Sequence, residues 1–380
     1  MPEPFQAHYG VVPPRLPEAA VPLGAALRKV EEAMAALARI EAIAVELKDA
    51  YLISRILTRR EAVASSAIEG TNSTLDELLA VEETQDEPGK AATRQVRDYA
   101  LALDELVPDV QRLGATAFSL DLIGRMHQRV MRDDPEYGDP PGRLRQRVVW
   151  IGGARDIAYS SFNPPPPDEV ASCLTALLGY MRGEGMQAMT QGLLTRIALA
   201  HAQFEAIHPF RDGNGRVGRL LIPLMMVADG RIPLYLAPFI ETRRAEYYAA
   251  LKGAQQRLDW EPLVGFFAEA VIATVTEVLA TRAALAGLQA VWRRRRDFRR
   301  DSASARALDW LPHYPVVTVR RLSDLLAVSF KSAAQAVEQL AEVGILTERT
   351  GHARNRVFAA GEALSILNRP FGAEPVLPET

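Results

Sequence analysis

The sequence predicts a mainly α-helical protein with a small mixed α+β unit near its C-terminal end. Before residue 300, apolar residues recur every three or four positions over long stretches, which is the spacing of one buried helix face. Within that part only Arg147–Gly153 combines β-branched and aromatic residues with a terminal Gly-Gly, as a strand leading into a turn does. Beyond residue 303, short helix and strand patterns alternate. We therefore expect a helical body followed by a separate C-terminal module.

Composition limits the classes of protein that this chain can belong to. It has 380 residues, of which 48% are hydrophobic and 24% charged, enough for two or three domains with a sizeable core. The formal net charge of −3 argues against a globally basic nucleic-acid binder. Cys173 is the single cysteine, which excludes an intrachain disulfide and a cysteine-based metal cluster. We predict no signal peptide and no membrane span, and hence a cytoplasmic protein without a membrane partner.

The N-terminal region is predicted to be an extended arm followed by helices. Prolines dominate residues 1–20, which favours an arm lying on a later domain. A helical pattern then runs from Leu23 to about Leu57, and a second helix is predicted from about Lys48 to Ala67. Thr74 opens a capping box for a short helix. Further helices are predicted at about 91–106 and 120–131.

The end of the second helix holds three residues of interest. Ser65 and Glu69 are four positions apart and share one helix face, while Gly70 suits the left-handed residue that closes a helix. Taken alone, the same residues describe an ordinary helix end with a surface glutamate. Further along, Arg147–Gly153 is predicted to pair with a strand around Ile157–Tyr159 as a hairpin that lies on the body.

A short loop between two predicted helices, Leu193–Phe204 and Val217–Val227, carries most of the chemistry. Its sequence is His-Pro-Phe-Arg-Asp-Gly-Asn-Gly-Arg-Val-Gly-Arg, from residue 208 to residue 219. Gly213 and Gly215 permit positive φ and close backbone approach, so that successive N–H groups can turn towards one anion. The helix that follows adds its own unpaired N–H groups and the positive end of its dipole.

Four side chains of this loop suit phosphate chemistry. Arg216 and Arg219 share one face of the first helical turn, where their guanidinium groups can bind phosphate oxygens. Asp212 is a hard oxygen ligand suited to Mg²⁺, and His208 is placed to act as a general base for a hydroxyl. A capped turn with two solvated arginines is the alternative, but it would not require all of these groups within twelve positions.

The loop resembles the signature of the Fic family, His-x-Phe-x-Asp/Glu-Gly-Asn-Gly-Arg-x-x-Arg, and matches every defined position. The resemblance implies a Fic-type helical core that transfers a nucleotide monophosphate, usually AMP from ATP, to a hydroxyl of a protein target, which can be the enzyme itself. It also implies that Mg²⁺ binds at Asp212, that the adenine pocket includes Tyr248, and that the phosphates are held by Gly213, Asn214, Gly215, Arg216 and Arg219.

The same resemblance extends to two other stretches. Ser-x-x-x-Glu-Gly at Ser65, Glu69 and Gly70 is similar to the inhibitory helix of many Fic proteins, which implies that Glu69 pairs with Arg219 in cis and blocks productive ATP binding. The hairpin is similar to the Fic flap, which lays the target segment beside the active loop as an added strand. The flap residues implied by the resemblance are Val149, Trp150, Ile151 and Gly152.

The C-terminal module resembles a winged helix-turn-helix. Its recognition helix would be Ser329–Val343 and its wing tip Gly351–Arg354, between strands at 344–348 and 355–358. Residues 316–358 carry a net charge of only +2, so docking of DNA and docking of protein both remain open. The predicted domains are 1–115 (N-terminal helical region), 116–268 (catalytic core), 269–302 (connecting helix) and 303–370 (winged helix).

The predicted function is that of an autoinhibited protein adenylyltransferase. Transfer of another nucleotide or phosphocholine, kinase-type γ-transfer and removal of AMP are the alternatives within the same class. A nucleotide-sensing DNA-binding regulator is the alternative from a different class, although pure sensing needs no base such as His208. A homodimer stays open, as does the identity of the target.

Overall fold

A computed structural model describes residues 1–47, 55–84, 90–153, 156–351 and 356–378. The described chain is mainly helical, as predicted. The predicted beginning of the second helix at 48–54 and most of the wing tip, 352–354, lie outside these residues. The helices of the body are α1 (Ala26–Leu47), α2 (Arg55–Ile68), α3 (Leu75–Glu83), α4 (Ala91–Leu113), α5 (Leu120–Val130), α6 (Pro167–Met181), α7 (Gln187–Thr190), α8 (Leu193–Ile207), α9 (Asn214–Ala228), α10 (Ala237–Thr242), α11 (Arg244–Arg257) and α12 (Glu261–Arg295).

Helices α8 and α9 form the centre of the body. Nearly every residue of both helices is buried, because α9 packs against α4, α5 and α8 while α8 also contacts α6, α11 and α12. Helix α2 lies across α4 and α10 and also touches α9. This arrangement brings the end of α2 to the beginning of α9.

Local sequence signals explain where several helices begin and end. The Thr74 side chain accepts from the N–H of Glu77 while the Glu77 carboxylate accepts from the N–H of Thr74, which confirms the predicted capping box of α3. Gly70, just after α2, has φ of +86°, a conformation that a β-carbon disfavours. Helix α4 runs further than the predicted end at about residue 106, since its apolar periodicity continues beyond that point.

Helix α12 also corrects the expectation that no segment is apolar and long enough to span a membrane. Its 35 residues include an 18-residue window with a mean hydropathy of 1.8, which meets the length and composition of a span. Within the structure, 67% of that window is buried against the rest of the protein, as in a core helix. Length and composition alone therefore do not distinguish the two.

The predicted hairpin differs from the observed one. Ile151 forms an isolated antiparallel bridge with Phe162, so the return segment lies later than the predicted Ile157–Tyr159. Those three residues instead form a 3₁₀ turn, because the Asp156 carboxylate accepts from the N–H of Ala158 and starts a tight turn there. The flap is thus a short bridge rather than a full two-stranded hairpin.

The proline-rich arm lies on the body, as predicted. The N–H of Val11 donates to the carbonyl of Asn163 at 2.9 Å, next to the flap. Further along the arm, the Gln203 side chain donates to the carbonyl of Pro14 at 2.8 Å. Prolines lack an N–H, so an extended arm of this kind can leave carbonyls available to side-chain donors.

The C-terminal unit contains α13 (Ala303–Trp310), β1 (Val316–Thr318), α14 (Val319–Leu326), α15 (Phe330–Glu342), β2 (Thr347–Glu348), β3 (Val357–Ala359) and α16 (Gly361–Leu367). The strands form an antiparallel sheet in the order β1-β3-β2, with Val316 opposite Ala359. Ala327, in the left-handed region with φ of +50°, makes the tight turn between α14 and α15. The helix and strand order is the predicted one, α16 was missed, and the winged-helix assignment stays a prediction.

Candidate active site

The chemically rich loop joins the end of α8 to the start of α9. His208 follows α8 directly and has φ of +49°, which is unusual for a residue with a β-carbon. Gly213 precedes α9 with φ of +76°, and a β-carbon there would lie 2.6 Å from the sulfur of Met131. Glycine is therefore required at this position for both conformation and space. The turn leaves the first N–H groups of α9 at the loop, as an anion site needs.

Asn214 holds the loop closed from inside. Its amide oxygen accepts from the N–H of Phe210 at 2.8 Å, and its amide nitrogen donates to the carbonyl of the same residue at 2.9 Å. Asn214 is buried, and both of its polar groups are used in this way. Any contribution of Asn214 to phosphate binding would thus come from its backbone N–H, while its side chain shapes the loop.

His127 of α5 contacts and supports the loop, a role that the sequence did not reveal. Its Nε2 lies 3.1 Å from the carbonyl of Asp212, and its Nδ1 accepts from the N–H of Gly142 at 2.8 Å. These bonds select the tautomer with the proton on Nε2. The ring also stacks on Phe210 at a centroid distance of 3.8 Å, and burial lowers the pKa of His127 to about 4. A single histidine on an amphipathic helix gave no signal of this contact.

His208 meets the requirements for a general base. Burial, followed by the nearby positive charge of Arg145, lowers the pKa of His208 to about 4, so the imidazole is neutral at pH 7. Its Nδ1 is buried and has no hydrogen-bond partner. A neutral imidazole can accept a proton, whereas an imidazolium cannot.

Arg216 is buried and only partly paired. One terminal nitrogen lies 3.1 Å from the sulfur of Met131 and 3.7 Å from the Asp134 carboxylate. Its Nε and its other terminal nitrogen are buried without a hydrogen-bond partner. An incompletely paired guanidinium one turn into α9 is well suited to receive an anionic oxygen.

Arg219, in contrast, is held by the end of α2. Its Nε donates to the Ser65 hydroxyl at 2.9 Å, and one terminal nitrogen donates to the Ser65 carbonyl at 2.9 Å and to the Glu69 carboxylate at 2.7 Å. Burial alone would raise the pKa of Glu69, but the Arg219 guanidinium outweighs this effect and the pKa lies below its usual value. Glu69 is therefore ionised at neutral pH.

The Glu69 carboxylate also lies directly on the loop. A β-carbon built on Gly215 would be 2.2 Å from its Oε1. The space beside the loop backbone is thus occupied by an internal anion in this structure. Two further buried carboxyl groups act on Arg219, namely Glu205 of α8 and Glu61 of α2; burial raises their pKa to about 8 and about 7, respectively.

The two adjacent tyrosines of α11 have different surroundings. Tyr247 is buried, and its hydroxyl lies 2.7 Å from Nε2 of His201, whose Nδ1 lies 3.0 Å from the carbonyl of Gly218. Tyr248 is 45% exposed. Tyr247 is therefore a core residue that supports α9, and Tyr248 is the one open to a ligand. Its assignment to an adenine pocket stays a prediction.

The flap residues lie close to the loop through the backbone. The Arg145 side chain connects the segment that enters the flap with the carbonyl of His208. Trp150 packs near Phe5 of the arm at a centroid distance of 5.8 Å, and Gly152 has φ of +74°. The docking role predicted for Val149, Trp150, Ile151 and Gly152 stays a prediction.

Asp212 is the carboxylate of the loop that could hold a metal ion. One of its oxygens accepts from the N–H of Gly213 at 2.6 Å, and the residue is exposed. Among the described residues no group of three or more histidine, cysteine or acidic side chains forms a metal site. A single carboxylate fits Mg²⁺, which is commonly bound by one or two carboxylates together with substrate phosphates. It does not fit a metal held by protein ligands alone.

Comparisons with known proteins agree with this geometry. The profile of the Fic/DOC family matches residues 117–226, and the profile of the Fic/DOC family N-terminal region matches residues 27–106. Protein adenylyltransferase fic-1 of Caenorhabditis briggsae is 36% identical over 153 residues, covering 40% of this chain and 27% of that protein. A probable protein adenylyltransferase of Aquifex aeolicus is 27% identical over 200 residues, covering 53% and 56% of the two chains.

Solved structures show the same fold. A Fic family protein from Desulfovibrio desulfuricans aligns with a TM-score of 0.55 and 22% identity over 90% of this chain and 98% of its own. Residues 134–508 of Fic-1 from C. elegans align with a TM-score of 0.50 and 24% identity over 68% and 73% of the two chains. This chain spans about a quarter of the length of the C. briggsae relative. From its loop, its two matching profiles and its fold, the chain belongs to the Fic/DOC family.

Proposed function

We propose that this protein is an adenylyltransferase that transfers AMP from ATP to a serine, threonine or tyrosine hydroxyl of a protein. The observation that carries the proposal is the combination, within one loop, of a neutral His208 and a buried, incompletely paired Arg216 at the start of α9. Several relatives are named protein adenylyltransferases, which supports the same reaction.

In the proposed reaction the loop holds ATP by its phosphates. The N–H groups around Gly213–Gly215 and the Arg216 guanidinium bind phosphate oxygens, and the helix dipole favours the negative charge. Asp212 would hold Mg²⁺, which would neutralise phosphate charge. His208 accepts the proton of the target hydroxyl as its oxygen attacks the α-phosphorus and pyrophosphate leaves. Positioning and charge stabilisation provide most of the rate enhancement.

Autoinhibition forms the second part of the proposal. Arg219 is the other arginine of the anion site, and Ser65 and Glu69 occupy it. The Glu69 carboxylate also lies against Gly215, where an ATP phosphate would approach the loop. Phosphate and Glu69 thus compete for the same groups, and the end of α2 keeps basal activity low.

The remaining features are proposed at a coarser level. The flap would align an extended target segment by backbone hydrogen bonds. The C-terminal unit would be a winged helix that docks a protein or DNA partner, and the site of action would be the cytoplasm, away from membranes. The mechanism does not require a homodimer.

The test uses the Glu69→Gly protein with α-labelled and γ-labelled ATP in parallel, read by label incorporation and intact mass. We expect α-label and a mass gain of one AMP unit. The same protein with His208→Ala should incorporate no label but still bind ATP in calorimetry. Incorporation of γ-label would indicate kinase chemistry instead, and full activity of the His208→Ala protein would remove the histidine from the reaction.

A further inference from the structure

Arg145 is a buried arginine in the segment between α5 and the flap, and it contacts the backbone on both sides of His208. It is only 6% exposed. Its backbone N–H donates to the carbonyl of Pro209 at 2.9 Å, and its Nε donates to the carbonyl of His208 at 2.8 Å. One terminal nitrogen lies 3.3 Å from the carbonyl of Ile207. Three consecutive carbonyls of the catalytic loop therefore accept from this one residue.

The same guanidinium also reaches both ends of the flap. One terminal nitrogen donates to the carbonyl of Arg147, before the flap, at 3.1 Å. The other donates to the carbonyl of Pro165, after the flap, at 2.6 Å. Arg145 thus connects the end of α8, the backbone of His208 and the two segments from which the flap projects.

The charge of Arg145 is balanced in an unusual way. Buried arginines normally pair with a carboxylate, but the described part of the chain offers Arg145 no acidic group within ion-pair distance. Burial lowers its pKa to about 10, so it stays protonated at pH 7. Its partners are carbonyls, including the unsatisfied ones at the C-terminal end of α8, where the helix dipole favours a cation.

His208 needs such support, because it occupies the left-handed region with φ of +49° despite its β-carbon. A backbone conformation of this kind persists only where its surroundings hold it. Arg145 donates hydrogen bonds to the carbonyls of residues 207, 208 and 209, and these bonds fix the peptide groups on either side of the His208 α-carbon. A small displacement of these peptide groups would displace the imidazole as well.

We propose that Arg145 is a positioning residue that holds His208 and the base of the flap as one rigid unit. The imidazole is then correctly placed to accept the proton of the docked hydroxyl. This inference rests on the proposed function, because it concerns the position of His208, the proposed base, relative to the target hydroxyl. The charges acting on His208 are Arg145, which opposes its protonation, and Glu69, which favours it. Loss of the Arg145 charge should therefore make His208 easier to protonate.

The test compares Arg145→Gln and Arg145→Lys in the Glu69→Gly protein with a matched control, Arg369→Gln. The Arg369 side chain is likewise only 6% exposed and donates to the carbonyl of Ile366 in α16 at 2.8 Å. Unlike Arg145, it also pairs with the Glu277 carboxylate at 2.9 Å, so it controls for the loss of a shielded arginine charge elsewhere in the protein. We expect Arg145→Gln to lower kcat by about 100-fold, with KM for ATP changed by less than about threefold. Arg145→Lys keeps the charge but has fewer fixed donors, so its kcat should lie between that of Arg145→Gln and that of the Glu69→Gly parent. Arg369→Gln should stay within about threefold of the parent.

A second measurement does not depend on activity. The titration midpoint of the His208 imidazole is followed by NMR with labelled histidine, and the signal is assigned by its loss in His208→Ala. In the protein that keeps Glu69, we expect Arg145→Gln to raise the midpoint above about 4. Arg145→Lys and Arg369→Gln in the same protein should change it little. If Arg145→Gln fails to fold, Arg145→Lys carries the test through its kcat.

The inference is overturned if Arg145→Gln loses activity only in proportion to its thermal stability, as Arg369→Gln does, with an unchanged His208 midpoint. A Glu69→Gly parent that transfers no AMP would instead count against the proposed function. In that case the NMR titration would still decide whether Arg145 controls His208.

Discussion

Arg216 and Arg219 lie one helical turn apart at the start of α9, and both are almost fully buried, but their surroundings are opposite. Arg219 makes three hydrogen bonds to Ser65 and Glu69 of the N-terminal region. Arg216 makes one weak bond to a sulfur and leaves two buried nitrogen atoms without partners. Of two residues of the same type one helical turn apart, Arg219 therefore has its hydrogen-bond partners within the chain, whereas Arg216 lacks most of its own.

Under the proposed function, this difference would separate regulation, at Arg219, from substrate binding, at Arg216. A buried charge without partners is costly, and a ligand that supplies the missing partners removes that cost. Arg216 has that character, since a phosphate would supply the missing acceptors. Arg219 already has an internal substitute for phosphate. One half of the proposed anion site would thus be open, whereas the other half is occupied by Ser65 and Glu69.

Among the substitutions that test this comparison, Glu69→Gly should change the rate of AMP transfer most, because it removes the carboxylate from Arg219. A charged hydrogen bond of this kind contributes about 1.5–3 kcal/mol, which corresponds to a rise in AMP transfer of roughly 10- to 150-fold. Initial rates with α-labelled ATP provide the measurement. Glu69→Gln, which keeps the size but not the charge, should give an intermediate rate.

A matched control for this substitution is Glu32→Ala, which removes an exposed glutamate from the surface pair that it forms with Arg28. Its rate should equal that of the unchanged protein, since exposed pairs of this kind contribute little. Equal rates for Glu69→Gly and the unchanged protein would show that the contact seen between Glu69 and Arg219 does not limit the reaction.

The next prediction concerns stability without ATP. Arg219→Met should lower the free energy of unfolding by about 1–3 kcal/mol, because Ser65 and the Glu69 carboxylate lose their buried donor. Arg216→Met should change it by less than about 1 kcal/mol, since it removes a buried charge that is poorly paired. Urea unfolding of both variants, followed at α-helical wavelengths, makes the comparison. Equal destabilisation by the two substitutions would contradict the distinction between an open and an occupied arginine.

Much of this site could be predicted because its residues are contiguous. The residue types and spacing in the loop from His208 to Arg219 predict phosphate chemistry without reference to other segments. The turn at Gly213 follows from local conformation. The pairing of Glu69 with Arg219 spans 150 positions and was predicted only through the family resemblance. No local pattern links two residues so far apart.

The features that were missed depend on tertiary contacts. His127 and Arg145 act on loop carbonyls from other segments, and neither belongs to a periodic or spaced motif. The predicted partner strand failed for a local reason, because Asp156 caps a 3₁₀ turn where a strand was expected. The winged helix was predicted element by element, whereas α16, which completes the unit, had no distinct signal.

The smallest expected effect is that of pH on inhibition. Two groups near the site, Glu69 and His208, keep one charge between pH 5.5 and 7.5, and Glu205 changes only at the upper end of that range. Glu69 has a lowered pKa, so its pairing with Arg219 is present above the ordinary glutamate pKa and is lost only as the pH falls through the lower folded value. His208, with a pKa of about 4, stays neutral. Glu205, with a pKa of about 8, is protonated over most of the range and begins to ionise near pH 7.5.

Glu61 changes charge most within this range, because burial raises its pKa to about 7. Its protonated form predominates below that value, and its ionisation at higher pH adds a negative charge that opposes the Glu69 carboxylate and the ATP phosphates alike. The ratio of the Glu69→Gly rate to the rate of the unchanged protein should therefore vary by less than about threefold from pH 5.5 to 7.5 at constant ionic strength, and Glu61→Gln should remove most of that variation. A tenfold change in this ratio that survives Glu61→Gln would mean that a group other than these four controls the occupancy of Arg219.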